Sequence, residues 1–183
     1  MYLQISGQTF SATSIVKYFK SEQRSVSTGT ILNYIKACED AYLLYKLNRE
    51  EIKTKKILSI NEKYYIADHG IREAVYGKNN QDIEKVLENI VYLELLRRGY
   101  EVTVGIVENV KEIDFIAVKN NEPIYIQVSY YLAEPSTVDR EFGNLEKIND
   151  NYPKYVISMD EIDMGRNGIK HLNIKDFLMK EEL

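Results

Sequence analysis

The stretch Glu112–Leu132, "EIDFIAVKNNEPIYIQVSYYL", decides how the chain is read. It divides into two strand-like runs around the turn Asn120-Asn121-Glu122-Pro123, because Asn and Pro supply the backbone conformations a tight reversal needs. Asp114 lies in the first run, and Gln127 and Ser129 lie in the second. A spacing of two puts Gln127 and Ser129 on one face of their strand, while Ile126 and Val128 fill the other. Polar residues on one face and aliphatic residues on the other predict a sheet with a functional or hydrogen-bonded edge above a core.

Working outward, "QDIEKVLENIVYLELLRRGYE" precedes this hairpin and has helical spacing. Ile83, Val86, Leu87, Ile90, Leu93 and the stem of Arg97 are expected on its inner stripe, with Gly99 ending the helix. Strands are expected at about 101–108, 111–118 and 123–129, a helix at about 136–149, a strand at 154–158, and a last strand near "IKHLNI" before the short helix "KDFLMKEEL". A helix, a three-stranded meander, a helix and a returning strand define an α/β/α sandwich.

Upstream the pattern changes. "SATSIVKYFK" begins with a cap-like Ser11 and aligns Ile15, Val16 and Phe19 on one helical face. After the turn "SEQRSVS", Ser27 caps a second helix, "TGTILNYIKACEDAYLL", with Ile31, Leu32, Ile35 and Cys38 inward and Thr30, Asn33, Tyr34 and Lys36 outward. Two strand-like stretches then flank "EIKTKK". Helix, tight turn, helix and basic hairpin is the order of a winged helix-turn-helix. In that architecture the second helix lies in a major groove and the wing lysines, here Lys53, Lys55 and Lys56, reach flanking phosphates. The bland reading of the same pattern is a helical scaffold for protein contacts with a solvated hairpin tip. Asp68 caps a short third helix, and "YGKNNQD" reads as a linker between residues 77 and 82. The expected organisation is therefore a winged helix over residues 1–80 and a sandwich over residues 81–183.

The charge agrees with that division. The 183-residue chain has a net charge of −4, but residues 1–80 hold 12 Lys and Arg against 8 Asp and Glu, and residues 81–183 hold 12 against 20. The first part suits a polyanion, and the second repels one. The lone Cys38 excludes an internal disulfide and fits a cytoplasmic setting. No apolar run reaches the roughly 18 residues of a membrane span. His69 and His171 stand far apart, so no Cys or His cluster has metal-ligand spacing. The fifteen tyrosines mostly occupy apolar positions, as core and contact residues do.

The strings "LENIVYLELLRRGYEVTVG", "KEIDFIA", "IYIQVSY" and "NYPKYVIS" resemble the C-terminal region of a family of prokaryotic AAA-type ATPases. "SVSTGTILNYIKACEDAYLLYKL" and "KYYIADHGIREAVYG" resemble the winged-helix segment of the same proteins. The resemblance implies an ATPase domain upstream. This sequence has no G-x-x-x-x-G-K-[ST] motif, so it offers no ATP site, and it is expected to be a C-terminal piece of a longer protein. The second half also resembles the PD-(D/E)XK nuclease superfamily, which includes restriction endonucleases and Holliday-junction resolvases. Carried over, the helix carboxylate is Glu88, with Glu94 as the other candidate; the strand Asp is Asp114, and the Glu/Gln position is Gln127. These would surround Mg²⁺ or Mn²⁺, with Glu88 and Asp114 as its charged ligands. The superfamily's lysine is replaced by Ser129, which cannot stabilise a developing hydroxide as a cation would. A lysine from elsewhere, such as Lys111 on the neighbouring strand, could migrate in, though nothing in the sequence requires it. A missing acid–base or cationic group costs about 10²–10⁴-fold in rate. The expectation is a DNA-binding accessory region with a degenerate nuclease-like centre used for recognition or docking. The alternatives are a divalent-metal-dependent endonuclease and a protein-interaction module with no nucleic-acid role.

Overall fold

A computed structural model describes residues 8–9, 12–77, 82–108 and 111–183, without the side chains of residues 8, 9, 59–61 and 76. Ser11 and most of the expected linker, residues 78–81, lie outside the described residues. The elements, in chain order, are β1 (Gln8–Thr9), α1 (Ala12–Ser21), α2 (Thr28–Asp40), β2 (Leu44–Glu51), β3 (Lys56–Ile66), α3 (His69–Tyr76) and α4 (Ile83–Arg97). They continue with β4 (Glu101–Val107), β5 (Lys111–Lys119), β6 (Glu122–Val128), α5 (Pro135–Glu146), β7 (Lys154–Ser158), β8 (Lys170–Asn173) and α6 (Ile174–Met179).

The fold is mixed α/β. One eight-stranded sheet runs β1-β3-β2-β4-β5-β6-β7-β8, antiparallel through the β2–β3 hairpin and the β4–β5–β6 meander, and parallel at β2–β4, β6–β7 and β7–β8. One face carries α4 and α6, whose Leu87, Val91, Tyr92, Leu95 and Phe177 pack on Phe115, Ala117, Ile126, Val128 and Ile157. The other carries α5, whose Phe142 and Leu145 pack on Ile113, Ile116, Tyr125 and Val156. Ile126 and Val128 thus share one face, and Tyr125 takes the other, as the period of two requires. Among the described residues no helix is long and apolar enough to cross a membrane.

Local signals explain the element ends. The Ser27 hydroxyl accepts from the Thr30 N–H at 3.0 Å, and the Asp68 carboxylate from the Gly70 N–H at 2.5 Å, so both expected caps form. Gly99 sits just past α4 with φ +80°, and the Tyr100 N–H closes the turn on the Leu95 carbonyl at 3.1 Å.

Several expectations shift. The second helix stops at Asp40; Tyr42 follows with φ +55°. Leu32, expected inward, is 54% exposed, because α2 presses only Ile31 fully into its small contact with α1 and β2. Ile83 is 40% exposed and Arg97 is exposed. The inner face of α4 is Leu87, Glu88, Val91, Tyr92 and Leu95, rotated from the expected stripe because the helix also buries polar side chains. The β2–β3 hairpin does not project free. Arg49, Glu50 and Glu51 pair with Val104, Gly105 and Ile106 of β4, which joins the hairpin to the sandwich in a single sheet.

Candidate functional site

The β5–β6 ladder begins at the Phe115–Ile126 pair. Toward the start of β5 side chains replace it. The Val128 N–H donates to Asp114 Oδ2 at 2.8 Å, and the Asp114 N–H donates to Gln127 Oε1 at 3.3 Å. The two strands separate here, and their gap opens into a groove of about 340 Å³ lined by Glu88 of α4, Glu112 and Asp114 of β5, Gln127 of β6, and Arg140 and Glu141 of α5. Glu88, Asp114 and Gln127, distant in sequence, therefore meet. Ser129 is buried just beyond, with its hydroxyl donating to the Tyr131 carbonyl at 3.3 Å.

The residue that sequence reasoning missed is Lys63. It comes from β3 and is 5% exposed. Its ammonium lies 2.9 Å from Glu88 Oε1, 2.5 Å from Glu112 Oε1 and 3.7 Å from Asp114 Oδ1. Tyr65, two residues on, donates its hydroxyl to the same Glu88 oxygen at 2.5 Å. Arg49 of β2 holds the other Glu112 oxygen at 2.5 Å. Burial alone would push the Lys63 ammonium down. The charges of Glu88, Asp114 and Glu112 outweigh it and hold the group above its ordinary range. Asp114 moves up, because burial and then the Glu88 charge disfavour its carboxylate more than Lys63 and the Val128 N–H favour it. Tyr65 is also raised, first by burial and then by Glu88.

On the α5 side, Glu141 is 2% exposed. Arg140 donates to its Oε1 at 2.8 and 2.5 Å, and its Oε2 is buried with no hydrogen-bond donor among the described residues. The other two expected contributors lie elsewhere. Glu94 is six residues along α4 from Glu88, about 9 Å on a helix, and is held by Arg97 and Arg98, each at 2.7 Å. Lys111 is exposed beside Lys147, whose proximity lowers it. The cation reaches the groove from β3 instead.

In this arrangement the donor set does not fit a divalent ion. The ammonium sits among the carboxylates, Asp114 Oδ2 and Gln127 Oε1 are engaged by backbone N–H groups, and no group of three or more His, Cys, Asp and Glu among the described residues is disposed to hold a metal. A divalent ion needs several hard oxygens free to turn toward it.

The expected nucleic-acid residues divide into two groups. Lys53, Lys55 and Lys56 are exposed at the tip joining β2 to β3, and they make no ion pair among the described residues. On α2, Asn33 and Tyr34 are exposed, Lys36 is paired with Asp40, and Thr30 is half-buried with its hydroxyl 2.9 Å from that of Ser27. Behind the tip, the hairpin is anchored on α4. Asn89 accepts from the Ile66 N–H and donates to the Ile66 carbonyl, both at 2.9 Å, and Tyr65 stacks on Tyr92 with centroids 4.5 Å apart.

Two uncharacterised relatives align with nearly the whole chain. A protein of Haemophilus influenzae is 39% identical over 179 residues, which is 95% of this chain and 43% of the relative. The protein MJ1544 of Methanocaldococcus jannaschii is 28% identical over 177 residues, 95% of this chain and 39% of its own length. The chain thus spans less than half the length of these curated relatives. No family model and no solved structure matches it.

Proposed function

We propose that this chain is the accessory region of a AAA-type ATPase, that it binds DNA through the hairpin tip and α2, and that its nuclease-like sandwich serves recognition or docking. One observation carries the reading: the hairpin that ends in Lys53, Lys55 and Lys56 is rooted, through Lys63, in the groove of Glu88, Asp114 and Gln127. Phosphate contacts at the tip would then be tied to the groove through the β3 strand. More than half of each relative lies outside the matched region, and the ATPase assignment rests on the sequence resemblance. Affinity would rest on the tip lysines, because α2 carries Glu39 and Asp40 against a single Lys36.

The test is duplex binding by fluorescence anisotropy as a function of salt. Three phosphate contacts give a slope near −2.7, so affinity falls about 40-fold from 50 to 200 mM salt. The triple Lys53→Gln, Lys55→Gln, Lys56→Gln variant should bind more weakly and lose most of that slope. Equal binding and equal slope in the variant would remove the hairpin from the reading.

A further inference from the structure

We propose that the Lys63 ammonium is a built-in counter-cation that takes the place of a divalent ion in the carboxylate groove, so that the β3 strand of the hairpin, and no metal, neutralises the nuclease-like centre. The inference rests on the nuclease-like reading of the sandwich and assigns the charge at its centre.

Geometry and charge agree. Three carboxylates approach the ammonium, at 2.5, 2.9 and 3.7 Å. An ammonium offers three donors and one positive charge, whereas a divalent ion brings two charges and demands several oxygens. Gln127 adds no charge of its own, and its Oε1 is already taken by the Asp114 N–H at 3.3 Å. Ser129 leaves its own position without a cation, and the cation arrives from the hairpin. The remaining contacts lock the arrangement: Tyr65 holds Glu88, Arg49 holds Glu112, and the Val128 N–H holds Asp114. Glu141 completes the acidic wall with one buried oxygen that no donor among the described residues satisfies, so removing the ammonium would leave the groove more negative despite Arg49 and Arg140.

Lys63 is thus a positioning residue that couples the hairpin to the groove, and its removal should create a cation site. The experiment is titration of Mn²⁺ into the folded chain by calorimetry. Wild type should give only weak binding, unchanged by Asp114→Asn. Lys63→Met should bind Mn²⁺ roughly 10- to 100-fold more tightly than wild type, the range that changes beside a metal site produce. That gain should vanish in Lys63→Met/Asp114→Asn. Wild-type binding that matches Lys63→Met and disappears in Asp114→Asn would overturn the proposal, as would a folded Lys63→Met that gains nothing. If Lys63→Met is unfolded without metal, refolding on addition of Mn²⁺, with wild-type thermal stability unmoved, supports it, and failure to refold overturns it. Failure of the DNA-binding reading would show in the hairpin-tip variant and leave these titrations unchanged.

Discussion

Replacing Lys63 with Met removes the ammonium and keeps most of the side chain's volume, so the change in stability reports electrostatics more than packing. Breaking a buried ion pair from one side typically costs about 3–5 kcal/mol, because a charge is left uncompensated. In this groove each carboxylate retains another donor: Tyr65 on Glu88 and Arg49 on Glu112, both at 2.5 Å, and the Val128 N–H on Asp114 at 2.8 Å. The expected loss is therefore at the lower end of that range, about 3 kcal/mol. With a urea slope of about 2 kcal/mol per molar, the midpoint should fall by roughly 1.5 M. The sign of the pH dependence follows from the same groups. Lys63 is raised, so its own contribution is present throughout the range below its ordinary lysine value and is lost only at higher pH. Asp114 is already raised, and loss of the ammonium raises it further, so the folded variant takes up a proton more readily than the unfolded chain. The deficit should then be largest at alkaline pH and shrink as the pH is lowered. Urea denaturation of both proteins as a function of pH measures it. A loss below about 1 kcal/mol, well short of a broken buried pair, or a deficit that stays constant with pH, would refute the reasoning.

Three further outcomes follow from the fold. Burial pushes His171 below its ordinary value, its Nε2 lies 2.9 Å from Ser158 Oγ, and its Nδ1 accepts from the Met164 N–H at 3.3 Å. A depressed histidine stabilises above its unfolded value of about 6.5 and loses that contribution as pH falls through the folded value; His171→Gln should reduce the acid-side loss of urea midpoint between pH 7.5 and 5.5, and an unchanged loss would argue against it. A Cβ on Gly105, at the β2–β4 junction, would lie 3.0 Å from Ile113 and 3.1 Å from both Ile116 and Ile52; Gly105→Ala should cost about 1–3 kcal/mol, seen as a lower melting temperature. Asn89 is fully buried and makes both hydrogen bonds to Ile66; Asn89→Ala should cost about 2 kcal/mol by leaving buried groups unpaired and should speed amide exchange at Ile66.

Much of the fold was legible in the sequence because its signals are local. The alternation in "IYIQV", the Ser27 and Asp68 caps, and Gly99 each act within a few residues, and each appears where expected. The convergence of Glu88, Asp114 and Gln127 followed from the resemblance, since nothing in the spacing alone brings α4 to the start of β5. Lys63 was hidden for two reasons. It lies in a basic hairpin whose lysines read as solvated, and its carboxylate contacts are long-range, Glu88 being 25 residues away. One signal was present: the period of two that turns Tyr65 inward turns Lys63 inward as well. The α4 stripe was misplaced for a related reason. Helical spacing counts apolar residues, and this helix buries Glu88, Asn89 and Glu94, which a hydrophobic pattern assigns to solvent. The fusion of the hairpin to β4 is a parallel pairing between distant segments, for which the sequence carries no local mark.

The most direct measurement is a cleavage assay on duplex, single-stranded and branched DNA with Mg²⁺ or Mn²⁺, comparing wild type with Asp114→Asn. A groove neutralised by Lys63 should leave every substrate intact with both proteins while duplex binding persists. Cleavage by the wild type that Asp114→Asn abolishes would show a working metal centre and contradict a counter-cation role for Lys63.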